Sequence, residues 1–434
     1  MDREPHAIMK KVLLLPHGTT GDVLPFIWLA RHLKQGGHQP TVIAASVFEA
    51  ITRRAGIEFL PLARDDFEEM TAHPGLFRMI EGTRVAHGYA GRATGDYAAA
   101  IEAWSVPNGR PGLLLAPMTC FGARLMREKH GIPLVTVHAS SLLMNSMHEP
   151  PLFIPAFRWL RKMPLWLRTW LLSGPNPFDR FAEPHVRKAC ADHGVKAPRS
   201  LRWDWWDSPD GVLALFPDWF ARPQPDWPRQ LLQWDFPLED LSGEESLSPE
   251  LRAFLAEGDK PVLFTPGTGH RHARRYFETA LELVQALRCR AIFVSREAGQ
   301  IPDGLPASVR VVSYAPFSLV LPHVSVCVHH GGIGTLAQCL AAGVPQLITP
   351  MSHDQFDTAD RIEKLGAGLS VLATRFSRRT ALPLLSRCMH DRSFRDHSAA
   401  HARRLLQKRD VRPLIAWLEA RMQDAHIHPI APAS

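Results

Sequence analysis

The stretch CVHHGGIGTLAQCLAAGVPQLITPMSHDQFD (residues 327–357) decides the fold. It begins inside SVCVHH (325–330), a short apolar run of buried-strand type. A turn containing Gly331, Gly332 and Gly334 follows, then an apolar helix from about Thr335 and a second short strand, PQLITP (345–350). The acid–amide pair Asp354–Gln355 stands at the start of the next helix. Strand, helix and strand joined this closely form the repeating unit of a parallel sheet. Glycine lets the backbone take positive φ and lets a ligand approach closely. The free N–H groups at the helix start carry the positive end of its dipole. The turn therefore reads as an anion site, with His329 or His330 placed to donate one more hydrogen bond. The competing reading is a glycine-rich strand–helix turn with one packed histidine.

The same unit recurs on either side. KPVLFTPG (260–267) runs into a second glycine turn, TPGTGH (265–270), and then the helical pattern 273–287. RAIFVS (290–295) and VRVVSY (309–314) complete that series. In the first half, KVLLLP (11–16), PTVIAA (40–45), IEFLPL (57–62), PGLLLAP (111–117) and IPLVTVH (132–138) alternate with helical spacing at 23–37, 47–56 and 123–129. Between the halves, residues 221–250 are rich in Pro, Ser and acids, a linker composition. The expected fold class is α/β, with two Rossmann-like doubly wound domains facing a cleft. The first covers residues 1–222, a linker 223–248, and the second domain 249–410. A last helix in 411–434 is expected to pack back on the first domain, followed by a tail.

Composition sets the outer bounds. A chain of 434 residues exceeds one ordinary core, and 45% apolar with 21% charged residues is globular usage. The net charge of +7 is spread along the chain, without the basic stripe that nucleic-acid binding requires. The six cysteines form no CxxC pair or metal-ligand array, so they read as buried thiols of a reducing compartment, and no metal site is expected. No stretch approaches a membrane span and no signal-peptide pattern opens the chain, so a cytoplasmic protein is expected.

Two carboxylates carry candidate chemistry. Asp354 and Gln355 suit vicinal sugar hydroxyls, because a carboxylate accepts twice and an amide both donates and accepts; the alternative is a helix cap. In PHGTTGDVLPF (16–26), Asp22 follows the first strand and faces the cleft end of the sheet, as a general base or as the cap of helix 23–36. His17 is a second candidate base. HGTTGD has the wrong spacing for a dinucleotide fingerprint, which argues against a dehydrogenase.

The order HHGGIGT turn, helix, GVPQLITP strand and DQ resembles the donor signature of nucleotide-sugar glycosyltransferases of the GT-B fold, in the branch holding plant secondary-metabolite, sterol and macrolide enzymes. That resemblance implies that the first histidine of the turn, His329, meets the donor diphosphate, with Gly332, Gly334 and Thr335; Gly331 belongs to the same turn, and Thr268 in the second glycine turn is expected to meet a phosphate by the strand–turn–helix reasoning above. It gives Asp354 and Gln355 the sugar hydroxyls. Tyr314, Ala315 and Pro316 stand where the family has a tryptophan-containing base-binding segment. The acidic residue that plant members use for ribose is here a small residue near Ala337, which leaves room for a deoxyribose nucleotide. GDVLP (21–25) resembles the GDxxP of bacterial antibiotic and sterol relatives, implying Asp22 as lone general base in an inverting, metal-independent transfer.

PLFIPAFRWLRKMPLWLRTWLLSG (151–174) is rich in Trp, Leu and Phe and holds four basic residues. It reads as core, as the wall of an apolar acceptor pocket (Phe153, Trp159, Trp166), or as an interfacial helix on an anionic membrane. SPDGVLALFPDWFARPQPDWP (208–228) and SYAPFSLVLP (313–322) add a closer resemblance, to the rhamnosyltransferases of bacterial rhamnolipid synthesis. It implies transfer of L-rhamnose from dTDP-L-rhamnose to the hydroxyl of a 3-(3-hydroxyalkanoyloxy)alkanoate at the inner membrane face. UDP-glucose remains an alternative donor, and a nucleotide-sugar 2-epimerase an alternative of another class. No cofactor is expected beyond the donor substrate.

Overall fold

The protein is described by a computed structural model over residues 9–174, 176–240, 247–267, 269–407 and 409–422. In the first half, the apolar runs become β1 (Lys11–Leu14), β2 (Gln39–Ala44), β3 (Glu58–Pro61), β4 (Leu113–Ala116), β5 (Leu134–His138), β6 (Val212–Leu215) and β7 (Leu231–Trp234). They form one sheet in the order β3-β2-β1-β4-β5-β6-β7. A second sheet, ordered β10-β9-β8-β11-β12-β13, comprises β8 (Val262–Thr265), β9 (Ala291–Val294), β10 (Val309–Val312), β11 (Val326–His329), β12 (Gln346–Ile348) and β13 (Gly368–Ser370). All neighbouring strands pair in parallel. Helices cover both faces, so the central strands are apolar throughout: Val12, Leu13, Leu14, Val262, Leu263 and Phe264 are wholly buried. The two doubly wound domains are both present.

The expected linker at 223–248 needs correction, because β7 lies inside it and pairs with β6 from Leu231 to Trp234. Residues 241–246 of that segment lie outside the described residues. The helix Arg412–Glu419 returns to the first lobe, where Leu414, Ile415 and Leu418 join a core with Val12, Phe26 and Leu33.

The lobes are packed together. Phe216, Phe220 and Phe236 share one apolar cluster with Leu336, Leu340 and Ile362. Beside it, the wholly buried Asp357 accepts from Arg161 (2.8 Å), Arg361 (2.7 Å) and the Ser141 hydroxyl (2.9 Å). Burial works against ionising Asp357, but Arg361 and Arg161 outweigh it and hold its carboxyl below the usual carboxylate range. Breaking such a buried pair leaves an uncompensated charge, which makes this link stiff.

Strand order reverses between β1 and β4 in the first sheet, and between β8 and β11 in the second. Ligands of open α/β sheets bind at such reversals, outside the carboxyl ends of the strands. The loops leaving β1, β8 and β11 are those that carry His17–Thr19, Pro266–His270 and His330–Gly332.

Candidate active site

Two cavities open between the lobes and meet at the start of the helix Ile333–Ala341. The smaller, about 160 Å³, is walled by Arg296, Tyr314, Ala315, Phe317, Gly334 and Gln338. The larger, about 370 Å³, runs along the first lobe past Tyr89, Met118, Leu143, Phe153, Phe178 and Trp206. Gly21, Gly267, Gly334 and Thr335 line both. The first-turn N–H groups of a helix have no acceptor within it, and here they open on that junction.

The structure places the two histidines of the turn in different surroundings. His329 ends β11 and is wholly buried. Its Nε2 donates to the Gln346 side-chain oxygen (2.9 Å) and its Nδ1 accepts from the Gly331 N–H (3.1 Å). Both ring nitrogens are committed within the protein, so His329 holds the turn together. His330, one residue past the strand, lines the larger cavity at the junction. Its ring is wedged between two glycines: a Cβ on Gly267 would lie 2.6 Å from the ring, and one on Gly332 2.5 Å from its Nε2. Gly267 also has φ +94°, where a side chain is strained in any case. The Nδ1 of His330 has no partner among the described residues. Burial, reinforced by His329 and His270, lowers its pKa to about 3, so the ring is neutral at pH 7.

Asp22 stands in the first turn of the helix Thr20–Gln35 and opens on the larger cavity. Its Oδ2 accepts from the Thr19 N–H (2.7 Å) and the Thr19 hydroxyl (3.1 Å), a capping box that fixes the carboxylate. The cap and the base readings of Asp22 are therefore compatible, because one oxygen caps while the other is not engaged by that box. Gly18 is required here: at φ +131° it brings the chain so near that a Cβ would lie 2.3 Å from Asp22 Oδ2. Enclosure by the two lobes raises the Asp22 pKa, against the two bonds from Thr19. His17 stacks on Tyr89, with ring centroids 4.4 Å apart, and its Nε2 is buried without a partner among the described residues. Desolvation lowers its pKa to about 3, making it a poor proton acceptor at neutral pH.

Asp354 lines the same cavity and makes no side-chain cap bond to its helix, which removes the capping reading. Burial, and then the Asp22 carboxylate across the cleft, push its pKa up to about 7, against a hydrogen bond from Ser140. Two carboxylates thus face one space, and the charge on Asp22 works against ionising Asp354. Gln355 lines the cavity too, but its side-chain oxygen accepts from Met351 N–H (2.8 Å) and Ser352 N–H (3.3 Å), so its amide nitrogen is the group left for a ligand.

In the smaller cavity, Tyr314 donates its hydroxyl to the Asp240 carbonyl (2.7 Å) and, with Ala315, forms part of the wall; Pro316 is the residue before the helix Phe317–Val320. Ala337 lines this space while also packing in the interlobe cluster, but the polar group beside it is Gln338, which the sequence reading missed. Thr268 lies outside the described residues. Of the three proposed acceptor residues only Phe153 lines a cavity. Trp159 and Trp166 stand on the outer surface, 52% and 71% exposed, and neither is core nor pocket wall.

Comparisons with known proteins find relatives in sequence and in fold. Residues 285–410 match the family described as erythromycin biosynthesis protein CIII-like, C-terminal domain. The chain is 27% identical over 380 residues to an O-mycaminosyltylonolide 6-deoxyallosyltransferase of Streptomyces fradiae, covering 82% of this chain and 84% of that protein. It is 24% identical to a sterol 3-beta-glucosyltransferase of Candida albicans over 88% of its own length, which is 26% of that longer protein. The solved structure of a spinosyn rhamnosyltransferase complexed with thymidine diphosphate has the same fold, with TM-score 0.66 at 17% identity over 94% of this chain and 100% of that one.

Proposed function

We propose that the chain is a nucleotide-sugar glycosyltransferase of the GT-B fold that moves L-rhamnose from dTDP-L-rhamnose to the hydroxyl of a 3-(3-hydroxyalkanoyloxy)alkanoate. The observation that carries this reading is the meeting of two cavities at a helix N-terminus flanked by Asp22 and Asp354. The nucleotide lies in the smaller cavity with its diphosphate at His330 and the N–H groups of Gly334 and Thr335. Asp354 and the Gln355 amide hold the sugar. Asp22 takes the proton of the acceptor hydroxyl, whose oxygen attacks the anomeric carbon opposite the diphosphate, and the configuration inverts. Charge growing on the leaving diphosphate is stabilised by His330 and by the helix N-terminus, both fixed before reaction.

Gln338 supports a deoxyribose donor: a neutral amide stands at that position, and the carboxyl-bearing residues of the same cavity, Glu239, Asp240 and Glu297, come from other loops. The acceptor cavity supports a lipid. Its walls carry no Lys or Arg among the described residues, so apolar tails fit inside and a carboxylate stays at the mouth. Following Phe153 in the chain, Phe157, Trp159, Trp166 and Trp170 are exposed among the basic Arg158, Lys162 and Arg168, a composition suited to an anionic bilayer surface. A 2-epimerase, which takes no acceptor, has no use for a second, larger cavity. The second donor reading, UDP-glucose, draws on the similarity to the sterol glucosyltransferase.

The test offers the purified protein the hydroxyalkanoyloxy-alkanoate or a sterol, each with dTDP-L-rhamnose or UDP-glucose, and reads products by mass spectrometry. A rhamnosyl lipid is expected. A glucosyl sterol alone would replace both the donor and the acceptor. Sedimentation with anionic vesicles, lost in a Trp159/Trp166/Trp170→Ser variant, checks the surface patch.

A further inference from the structure

His353 precedes the sugar-binding pair and has an unusual backbone. Its φ is +55°, one of two positive values at non-glycine residues among those described. A side chain in this region is strained, and persists when neighbouring contacts hold it. The holding contact comes from the other lobe: His353 Nε2 donates to the Leu76 carbonyl (3.0 Å), 277 positions away in the chain. The next residue, Phe77, stacks on His270 of the second lobe (5.0 Å between centroids) and meets His353 edge-on at 6.2 Å. Gly82 makes room for this contact: a Cβ there would lie 2.1 Å from the Leu76 oxygen and 3.3 Å from the His353 ring.

The segment behind His353 is pinned separately. Gln355 accepts from the N–H groups of Met351 and Ser352, and the Thr358 hydroxyl donates to the Gly331 carbonyl (2.7 Å). The strained residue is thus the hinge between a fixed helix start and a contact that exists only while the lobes are together. Burial lowers the His353 pKa, so the ring donates as a neutral imidazole.

We propose that His353 is a positioning residue that makes the setting of Asp354 and Gln355 on the donor sugar conditional on docking of the Leu76–Phe77 loop. This rests on the glycosyl-transfer reading above. With the loop docked, the bond to Leu76 offsets the backbone strain and the pair faces the sugar. With the loop away, the strain has no counterweight and the Ser352–Asp354 turn relaxes. The sugar is then held for transfer only in the closed cleft, while the nucleotide pocket, which shares with this contact the wall residue His270 and is otherwise built from other residues, keeps its affinity within about twofold.

The test compares the full chain with His353→Gly, which keeps positive φ without strain but lacks the bond, and Gly82→Ala, which displaces the Leu76 carbonyl with His353 intact. Calorimetry gives the thymidine diphosphate affinity, and steady-state rates give kcat and the ratio of donor hydrolysis to transfer. Both variants should lose about tenfold in kcat, keep nucleotide affinity within about twofold, and hydrolyse more donor per transfer. Unchanged kcat in His353→Gly would overturn the proposal. So would a parallel loss of nucleotide affinity and kcat with a lowered Tm, the mark of a merely structural residue. A parent chain that transfers no sugar at all would instead remove the transferase reading, and this inference with it.

Discussion

Replacing His330 by Ala separates the two histidines of the turn. The ring is neutral, since burial lowers its pKa to about 3, and it brings one donor to a charged diphosphate without bringing a charge. A hydrogen bond to a charged group contributes about 1.5–3 kcal/mol, so nucleoside diphosphate affinity should fall roughly 12- to 160-fold. Stability should change little, because the Nδ1 of His330 has no partner to lose among the described residues and the ring is only half-buried. His329→Ala should do the reverse. It removes a wholly buried ring bonded to Gln346 and Gly331, strands the Gln346 oxygen, and opens a cavity, at a cost of about 2–4 kcal/mol. The assay is titration calorimetry with thymidine diphosphate, beside thermal unfolding of each variant. If His330→Ala binds like the parent while folded His329→Ala binds 100-fold more weakly, the assignment of the diphosphate to His330 is wrong.

Asp22→Asn should lower kcat by roughly 10²- to 10⁴-fold with thymidine diphosphate binding retained, since the amide oxygen still accepts from Thr19 and His17 is too weak a base to substitute. The base must be ionised and its pKa is raised, so the rate should rise with pH through that raised value; in Asp22→Asn the Asp354 pKa, pushed to about 7 partly by Asp22, should drop, as a pH–rate series and carboxyl-labelled NMR would read. Gln338→Glu should shift relative affinity from thymidine towards uridine diphosphate, and an unchanged ratio in competition titrations would remove Gln338 from ribose recognition. Arg161→Ala should cost about 3 kcal/mol in denaturant melts, because Asp357 keeps Arg361 but loses half its compensation. The folded pKa of Asp357 is depressed, so its contribution is present above the unfolded value of about 4 and lost as pH falls through the folded one; Asp357→Asn should flatten that part of the acid-unfolding curve.

How far these residues could be read without coordinates depends on period. The glycine turns after apolar runs placed both loops at the sheet reversals, since few other patterns follow a buried parallel strand with a helix. The choice between His329 and His330 was also open to the pattern: His329 shares the strand face of Cys327, which is buried, and the residue past the strand end is the one that enters the loop. Gln338 lies one helical turn beyond Gly334, on the cleft face, where Ala337 turns towards the core. β7 was hidden because LLQW sits among prolines and acids, and edge strands carry weak apolar signals. Trp159 and Trp166 could not be placed by composition, since a tryptophan stripe has the same appearance in a core, a pocket wall or an outer patch. The bond from His353 to Leu76 joins residues 277 positions apart, and no local pattern reports such a contact.

The most direct measurement is a crystal structure of the chain with thymidine diphosphate and the hydroxyalkanoyloxy-alkanoate. The diphosphate should lie within hydrogen-bond distance of His330 and the Gly334–Thr335 N–H groups, with the acceptor hydroxyl against Asp22. A diphosphate bound elsewhere, or an acceptor hydroxyl out of reach of the Asp22 carboxylate, would contradict the account.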